Sequence, residues 1–365
     1  MKKRIVQLES VYKSFFESFL EKTPSWFSYS YKQALETLFD SGWSSGQNVV
    51  PYMPASKWET FYIVPTLESL QKKWARQQIG SDDVSLAEIL FLQLDAIKPD
   101  IVYLSDLNCV DIGFFSQLSK VPLVTGWCAT EPNEAFNWRS LDLLLSGVGS
   151  IRQRALDLGV RRAEKFMSGA PSFRNVNGGG FCGRKDLCFS GSFSRVLHHE
   201  RANNFAKLGE AIREYYLDIY TESQPQVLLG QPNIRLLPAV YASDVVSTYS
   251  DYKIVLDGRA DFGLGEAQYS RETSNMRIFE ATKAGSMLLT EHCENLGEYF
   301  EIGEEIETYS SVDELREKCR YYLRHDNELK RENIARSGQL RTLSEHSIES
   351  RALWFEKIIE NAFFD

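Results

Sequence analysis

No stretch of this 365-residue sequence reaches the roughly 18 uninterrupted apolar residues of a membrane-spanning helix. Lys2, Lys3 and Arg4 resemble the basic start of a secretory leader, but Glu9, Lys13 and Glu17 break the apolar stretch that must follow. No leader is therefore expected, and the chain reads as cytoplasmic, with peripheral contact to a membrane surface left open. Cysteine is sparse: the six residues at 109, 128, 182, 188, 293 and 319 have no paired metal-ligand spacing and sit mostly within apolar runs. They read as buried thiols in a reducing compartment, and a Cys182–Cys188 disulfide is not favoured. Positive charge is also short, with 41 Lys and Arg against 50 Asp and Glu and a formal net charge of −9. That balance, without a local basic patch, excludes a general binder of phosphate backbones, so no nucleic-acid partner is expected.

Motifs are missing as well. No Gly-x-x-x-x-Gly-Lys-[Ser/Thr] loop occurs, and Gly263-Leu264-Gly265 lacks the third glycine of a dinucleotide fingerprint. No His-Glu-x-x-His, no Asp-x-Asp and no carboxylate assignable to His198-His199 supports a metal site, so none is expected.

What is present is a rhythm of short apolar runs alternating with amphipathic segments, the pattern of parallel sheets covered by helices. In the first half, strands are expected at Lys3 to Leu8, Asn48 to Met53, Ile101 to Leu104, Pro122 to Thr125, Leu143 to Leu145 and Phe166-Met167. Helices are expected over Ser85 to Ile97, closed before Pro99, and over Ile151 to Leu158, closed by Gly159. Residues 169–185, with Pro171, Gly178-Gly179-Gly180 and Gly183, leave little to bury and read as a linker. Beyond it the rhythm restarts. Strands fall at Leu187 to Phe189, Leu217 to Tyr220, Lys253 to Leu256 and Met287 to Leu289. Helices fall at about Ala202 to Tyr216, Ala242 to Tyr249, from Met276, Asp313 to Tyr322, Glu328 to Arg336 and Ile348 to Ala362. The expectation is an α/β protein of two domains, 1–175 and 186–345, facing a cleft at the carboxyl ends of their strands.

One segment carries most of the chemistry. Asp257 to Glu266 is a strand end running into a Gly-rich loop, and the chain continues through Arg271 to a helix that Ser274 or Asn275 can cap. The free amides of such a first turn attract phosphate. Arg277 and Glu280, three apart, share a helical face and offer a cation for a diphosphate and a carboxylate for a sugar diol, although an ordinary surface ion pair has the same spacing. Earlier, Phe189-Ser190-Gly191-Ser192 runs a strand into a turn whose glycine lets backbone amides approach a phosphate, and His198-His199-Glu200-Arg201 follows. A plain strand-to-helix turn reads the same way.

Asn275-Met276-Arg277-Ile278-Phe279-Glu280-Ala281, with Ala284-Gly285, Leu288-Leu289-Thr290 and Gly303-Glu304-Glu305 after it, resembles the donor-site signature of bacterial glycosyltransferases of the spore-maturation (CgeB-like) group. These lie within the wider GT-B glycosyltransferases. Tyr321-Tyr322-Leu323, Ile334-Ala335, Gly338, and His346 ahead of Arg351 extend the likeness over roughly residues 187–360. The resemblance implies two Rossmann-like domains and a C-terminal helix, residues 346–365, that crosses back to the first domain. It implies no cofactor beyond a nucleotide-sugar donor, UDP-linked in the first instance, used as substrate with a saccharide or cell-surface glycan as acceptor, and metal-independent transfer with retention. Glu280 would bind the ribose, and Arg277 with its neighbouring amides the diphosphate. Gly191, Ser192, His199, Arg201 and Asn275 would complete the donor site. Glu272, eight residues before Glu280, reproduces the two-glutamate spacing of many retaining members. A silent nucleotide-sugar or glycan-binding module and a sugar-nucleotide epimerase of the same shape stay open as alternatives.

In the first domain, Ser105-Asp106-Leu107-Asn108 and Gly126-Trp127-Cys128-Ala129-Thr130-Glu131 each follow a strand. Asp106 and Glu131 are therefore candidates to deprotonate or orient an acceptor hydroxyl. The commoner role of such residues after a strand is to cap the next turn. Trp127 offers a face for a sugar ring or, more commonly, a core side chain.

Overall fold

The computed structural model describes residues 2–43, 46–110, 118, 120–130, 136–172, 181–193, 201–258 and 272–364. They fall into two compact units: residues 1–169 with 348–365, and residues 170–347.

The first unit is built on six parallel strands: β1 (Lys3–Leu8), β2 (Trp58–Ile63), β3 (Ile101–Leu104), β4 (Leu123–Trp127), β5 (Leu143–Ser146) and β6 (Arg162–Lys165). Their order is β2-β1-β3-β4-β5-β6. Alternate residues of the central strands bury on opposite faces. Val6, Val102, Val124 and Leu144 enter one core. Ile5, Ile101, Leu123 and Leu143 enter the other, together with Ile348, Ala352, Phe355 and Ile359 of the terminal helix Ile348–Phe364. A sheet buried on both faces needs continuous apolar runs, which is what β3 to β5 supply.

The second unit holds β7 (Lys185–Ser190), β8 (Leu217–Tyr220), β9 (Ile234–Leu237), β10 (Tyr252–Asp257), β11 (Met287–Glu291) and β12 (Glu307–Tyr309), all parallel. Their order is β12-β11-β10-β7-β8-β9. The α/β expectation holds, with one six-stranded parallel sheet in each unit.

Several local expectations are corrected. Asn48 to Met53 contains a 3₁₀ turn, Val50–Tyr52, instead of a strand, because Pro51 and Pro54 cannot donate to a ladder. The strand expected at Phe166-Met167 lies at Arg162–Lys165, and β2, β9 and β12 were not expected at all. The helix expected to reach Tyr216 ends at Ala211, where the Asn233 amide donates to the carbonyls of Gly209, Ile212 and Tyr215. None of the six cysteines forms a disulfide, and Cys182 is exposed rather than buried. Among the described residues, no helix is long and apolar enough to cross a membrane.

Candidate functional site

Strand order locates a site in each unit before any side chain is considered. In the second sheet β7, the first strand in sequence, lies between β8 and β10, so the winding reverses between β7 and β10. The loops leaving the carboxyl ends of two such strands diverge to opposite faces and leave a crevice. Here those ends are Ser190-Gly191-Ser192 and Asp257-Gly258.

Asp257 is 3% exposed and is the hub of this crevice. Its Oδ1 accepts from Asn275 Nδ2 at 2.7 Å and from the Arg277 guanidinium in a shorter ion pair, and its Oδ2 accepts from Thr290 Oγ1 at 2.8 Å. Its carbonyl accepts from the Tyr309 hydroxyl at 2.7 Å. The Arg277 guanidinium lies over the Phe189 ring, 4.9 Å from the centroid. Burial weighs against the charged guanidinium, but the Asp257 carboxylate outweighs it and holds Arg277 charged. Gly191 makes room for this arrangement: a Cβ there would lie 2.9 Å from Arg277 Nη2 and 2.8 Å from Phe189 Cζ.

Arg201, the other expected donor-site cation, ties the two crevice loops together. Nη1 donates to the Ser192 carbonyl at 2.8 Å and Nη2 to the Gly258 carbonyl at 2.9 Å. Its guanidinium also lies 5.2 Å from the Phe189 centroid. One aromatic ring thus sits beside two cations, an arrangement that cation–π attraction favours.

Glu280 projects from the same short helix, Arg277–Lys283, and is half-buried. Burial pushes its carboxyl up to about 7; the Arg277 charge opposes the shift and the Asp257 charge adds to it. Glu280 therefore changes charge near neutral pH. The segment ahead of the helix is pinned by Asn295, which accepts from Thr273 N and donates to Thr273 O, both at 2.8 Å. Glu272 is half-buried at the start of that segment.

Two expectations about backbone amides fail. The helix has only seven residues, and three of its leading amides are engaged: Arg277 N donates to Asn275 Oδ1 at 3.1 Å, while Phe279 N and Glu280 N donate to the Met276 carbonyl. Asn275 thus acts as the cap, whereas Ser274 Oγ is buried with no partner among the described residues. The Gly191 amide likewise donates to the Tyr220 carbonyl at 3.0 Å, continuing the β7–β8 ladder. Side chains, not a helix end, supply the cations here. The expected residue His199 and the glycine-rich loop from Arg259 onward lie outside the described residues.

The first sheet reverses between β1 and β3. There Glu9, 2% exposed, accepts from Ser105 Oγ at 2.5 Å and from Ser10 N at 3.1 Å. Gln7 Nε2 reaches Ser105 Oγ and Asn48 Oδ1, both at 2.9 Å. Asp106 is half-buried; its Oδ1 accepts from Asn108 N at 2.9 Å, the capping turn that its sequence position also allowed. Its Oδ2 accepts from the Ser10 hydroxyl. Trp127 is a core side chain at 9% exposure, not an open stacking face. Glu131 lies outside the described residues. Among the described residues, no group of three or more His, Cys, Asp and Glu is placed to hold a metal.

Sequence reasoning missed Asp257, Glu9 and Ser10 as site residues. Only their place at a strand end signalled them, and that signal is mute until strand order is known.

Residues 195–357 match a family model described as glycosyl transferase-like. No curated protein matches the chain. Among solved structures, an O-GlcNAc transferase of Thermobaculum terrenum superposes with a TM-score of 0.61 at 13% identity, covering 100% of this chain and 68% of the other. A glycosyltransferase of Rickettsia africae gives 0.58 at 10% identity, with 99% and 98% covered. Anabaena HepE, solved with UDP and glucose, gives 0.57 at 9% identity, with 99% and 100% covered. The chain thus has the GT-B fold of these glycosyltransferases, and residues 195–357 of its second unit are similar to the glycosyl transferase-like family.

Proposed function

We propose that this protein transfers a glycosyl group from a nucleotide sugar, with a UDP-sugar as the first candidate, to a hydroxyl of a saccharide or cell-surface glycan. The observation that carries this reading is the convergence of Arg277, Asp257, Glu280 and Arg201, all within the residues that match the glycosyl transferase-like family model, on the crevice between β7 and β10. A guanidinium held beside a glycine turn suits a diphosphate, and a carboxylate one helical turn away suits a ribose diol. The leaving diphosphate gains charge as the glycosidic bond breaks, so a cation placed beforehand lowers the barrier. UDP is the first nucleotide to test because the Anabaena neighbour was solved with UDP and glucose.

Metal-independent transfer is part of the proposal, with guanidinium groups in the role of the cation. Retention, with Glu272 and Glu280 as the two glutamates, is another part, as is membership of the spore-maturation group. On the acceptor side the proposed residues are Asp106, beside Ser10 and Glu9, and Glu131; His199, Gly191, Ser192 and Asn275 belong to the proposed donor side.

A thermal-shift panel of nucleotides and nucleotide sugars tests the donor, since a ligand that binds only the folded state raises Tm. Nucleotide release with and without a saccharide acceptor then separates the alternatives. A transferase releases nucleotide faster when acceptor is supplied, an epimerase interconverts the donor alone, and a silent module does neither. Activity should survive EDTA; loss restored by magnesium or manganese overturns the metal-free mechanism. Proton NMR of the first-formed anomer decides retention.

A further inference from the structure

Three segments of the second unit meet on one carboxylate. Asn275 from the pinned approach to the helix, Arg277 from its first turn and Thr290 from β11 all donate to Asp257, and Tyr309 from β12 fixes its backbone carbonyl. At 3% exposure this carboxylate is removed from water, and a guanidinium with neutral donors takes the place of the lost hydration.

The consequence falls on Arg277. An arginine side chain, left alone, samples many rotamers. Here Asp257 holds Nη1, the Phe189 ring lies beside the guanidinium, and Gly191 leaves no more room than Nη2 needs. Asp257 also holds Asn275, whose other amide atom caps Arg277 N, so a single side chain sets both the guanidinium and the backbone it grows from.

We propose that Asp257 is a positioning residue of the donor site, which fixes the Arg277 guanidinium against Phe189 so that it meets the terminal phosphate of a nucleoside diphosphate. This rests on the nucleotide-sugar reading above. Asp257 itself touches neither substrate nor reacting atom.

The test compares UDP with UMP, two probes that differ by the phosphate in question. Calorimetry on the full chain should show UDP bound more tightly than UMP. Asp257→Asn, nearly isosteric, should shrink the UDP-to-UMP affinity ratio about fivefold or more, as expected when one charge-assisted hydrogen bond is lost. Arg277→Gln should shrink it by a similar factor, and the double variant no further, because the two residues act as one unit. A ratio unchanged in Asp257→Asn, or losses that multiply in the double variant, overturns the proposal. Should Asp257→Asn not fold, Thr290→Val loosens the carboxylate without changing charge and should shrink the ratio in the same direction; an unchanged ratio again overturns it. Failure of the underlying reading looks different: the wild-type chain would bind neither nucleotide. Placement is then judged by NMR of the Arg277 Nε–H, whose ring-current shift from Phe189 should vanish in Asp257→Asn and whose persistence overturns the role.

Discussion

Glu280 sits where stability and binding pull in opposite directions. Its carboxyl titrates at about 7 in the folded protein because burial disfavours the charged form, against about 4.3 in an unfolded chain. Between those values the folded state holds a proton that the unfolded state has released, so stability falls as pH rises through the window. Glu280→Gln removes that slope, and denaturant midpoints at pH 5 and pH 8 should differ less in the variant than in the wild type. The same substitution should weaken UDP binding by about 10-fold or more, the worth of a charged hydrogen bond. Calorimetry at pH 8 that finds undiminished affinity removes Glu280 from the site. Gly191 is constrained by space, not by backbone, since its φ is not among the positive values. Gly191→Ala should therefore keep the helical circular-dichroism signal while weakening UDP, as a methyl pushes against Arg277 Nη2 and Phe189.

Among the elements, legibility follows position in the sheet. The strands that sequence alone places, β1, β3, β4 and β5 and then β7, β8, β10 and β11, are all central. Each is buried on both faces and so carries a recognisable apolar run. β2, β9 and β12 were missed and β6 was displaced, and these four are the edges. The edge strand Arg162-Ala163-Glu164-Lys165 is short and polar, which limits edge-to-edge pairing and hides it from any search for apolar runs. Helix packing holds a similar hidden constraint. In the helix Glu328–Glu345, a Cβ added at Gly338 would lie 2.2 Å from the Glu305 carbonyl oxygen, a backbone atom that cannot swing aside. Gly338→Ala should therefore destabilise by about 1–3 kcal/mol despite its better helix propensity, the cost of overpacking. Urea unfolding checks the sign; a stabilised variant means that the loop at Glu305 yields.

At the scale of the whole molecule, the last helix belongs to the unit that contains the start of the chain. Ile348, Ala352, Phe355 and Ile359 are fully buried in the first unit, and the Phe355 ring lies 4.7 Å from Tyr103 and 5.8 Å from Phe166. Trp58 Nε1 donates to Glu356 at 2.8 Å, joining the helix to edge strand β2. The first 169 residues thus lack part of their own core until the final 18 are present. Phe355→Ala should cost about 3–5 kcal/mol, as large-to-small changes in a core do. Domain-resolved hydrogen exchange should show the loss in residues 1–169; protection lost only in residues 170–347 contradicts the packing.

The sequence by itself determined the α/β class, the central strands, the apolar stripe of the final helix and the pair Arg277 and Glu280, because each is written in local spacing and in the residue types that burial demands. Only the tertiary structure decided strand order, and with it which strand ends share a crevice. Asp257 and Gly191 lie 66 positions apart in the chain, and nothing local to either says that one holds the guanidinium for which the other makes room. The amides of Gly191 and Arg277 look open in sequence and are engaged in the fold, by Tyr220 and Asn275. The Gly191 partner is chosen by the register of the parallel strands β7 and β8, which is set by packing across the sheet, whereas Asn275 is a cap only two residues from Arg277.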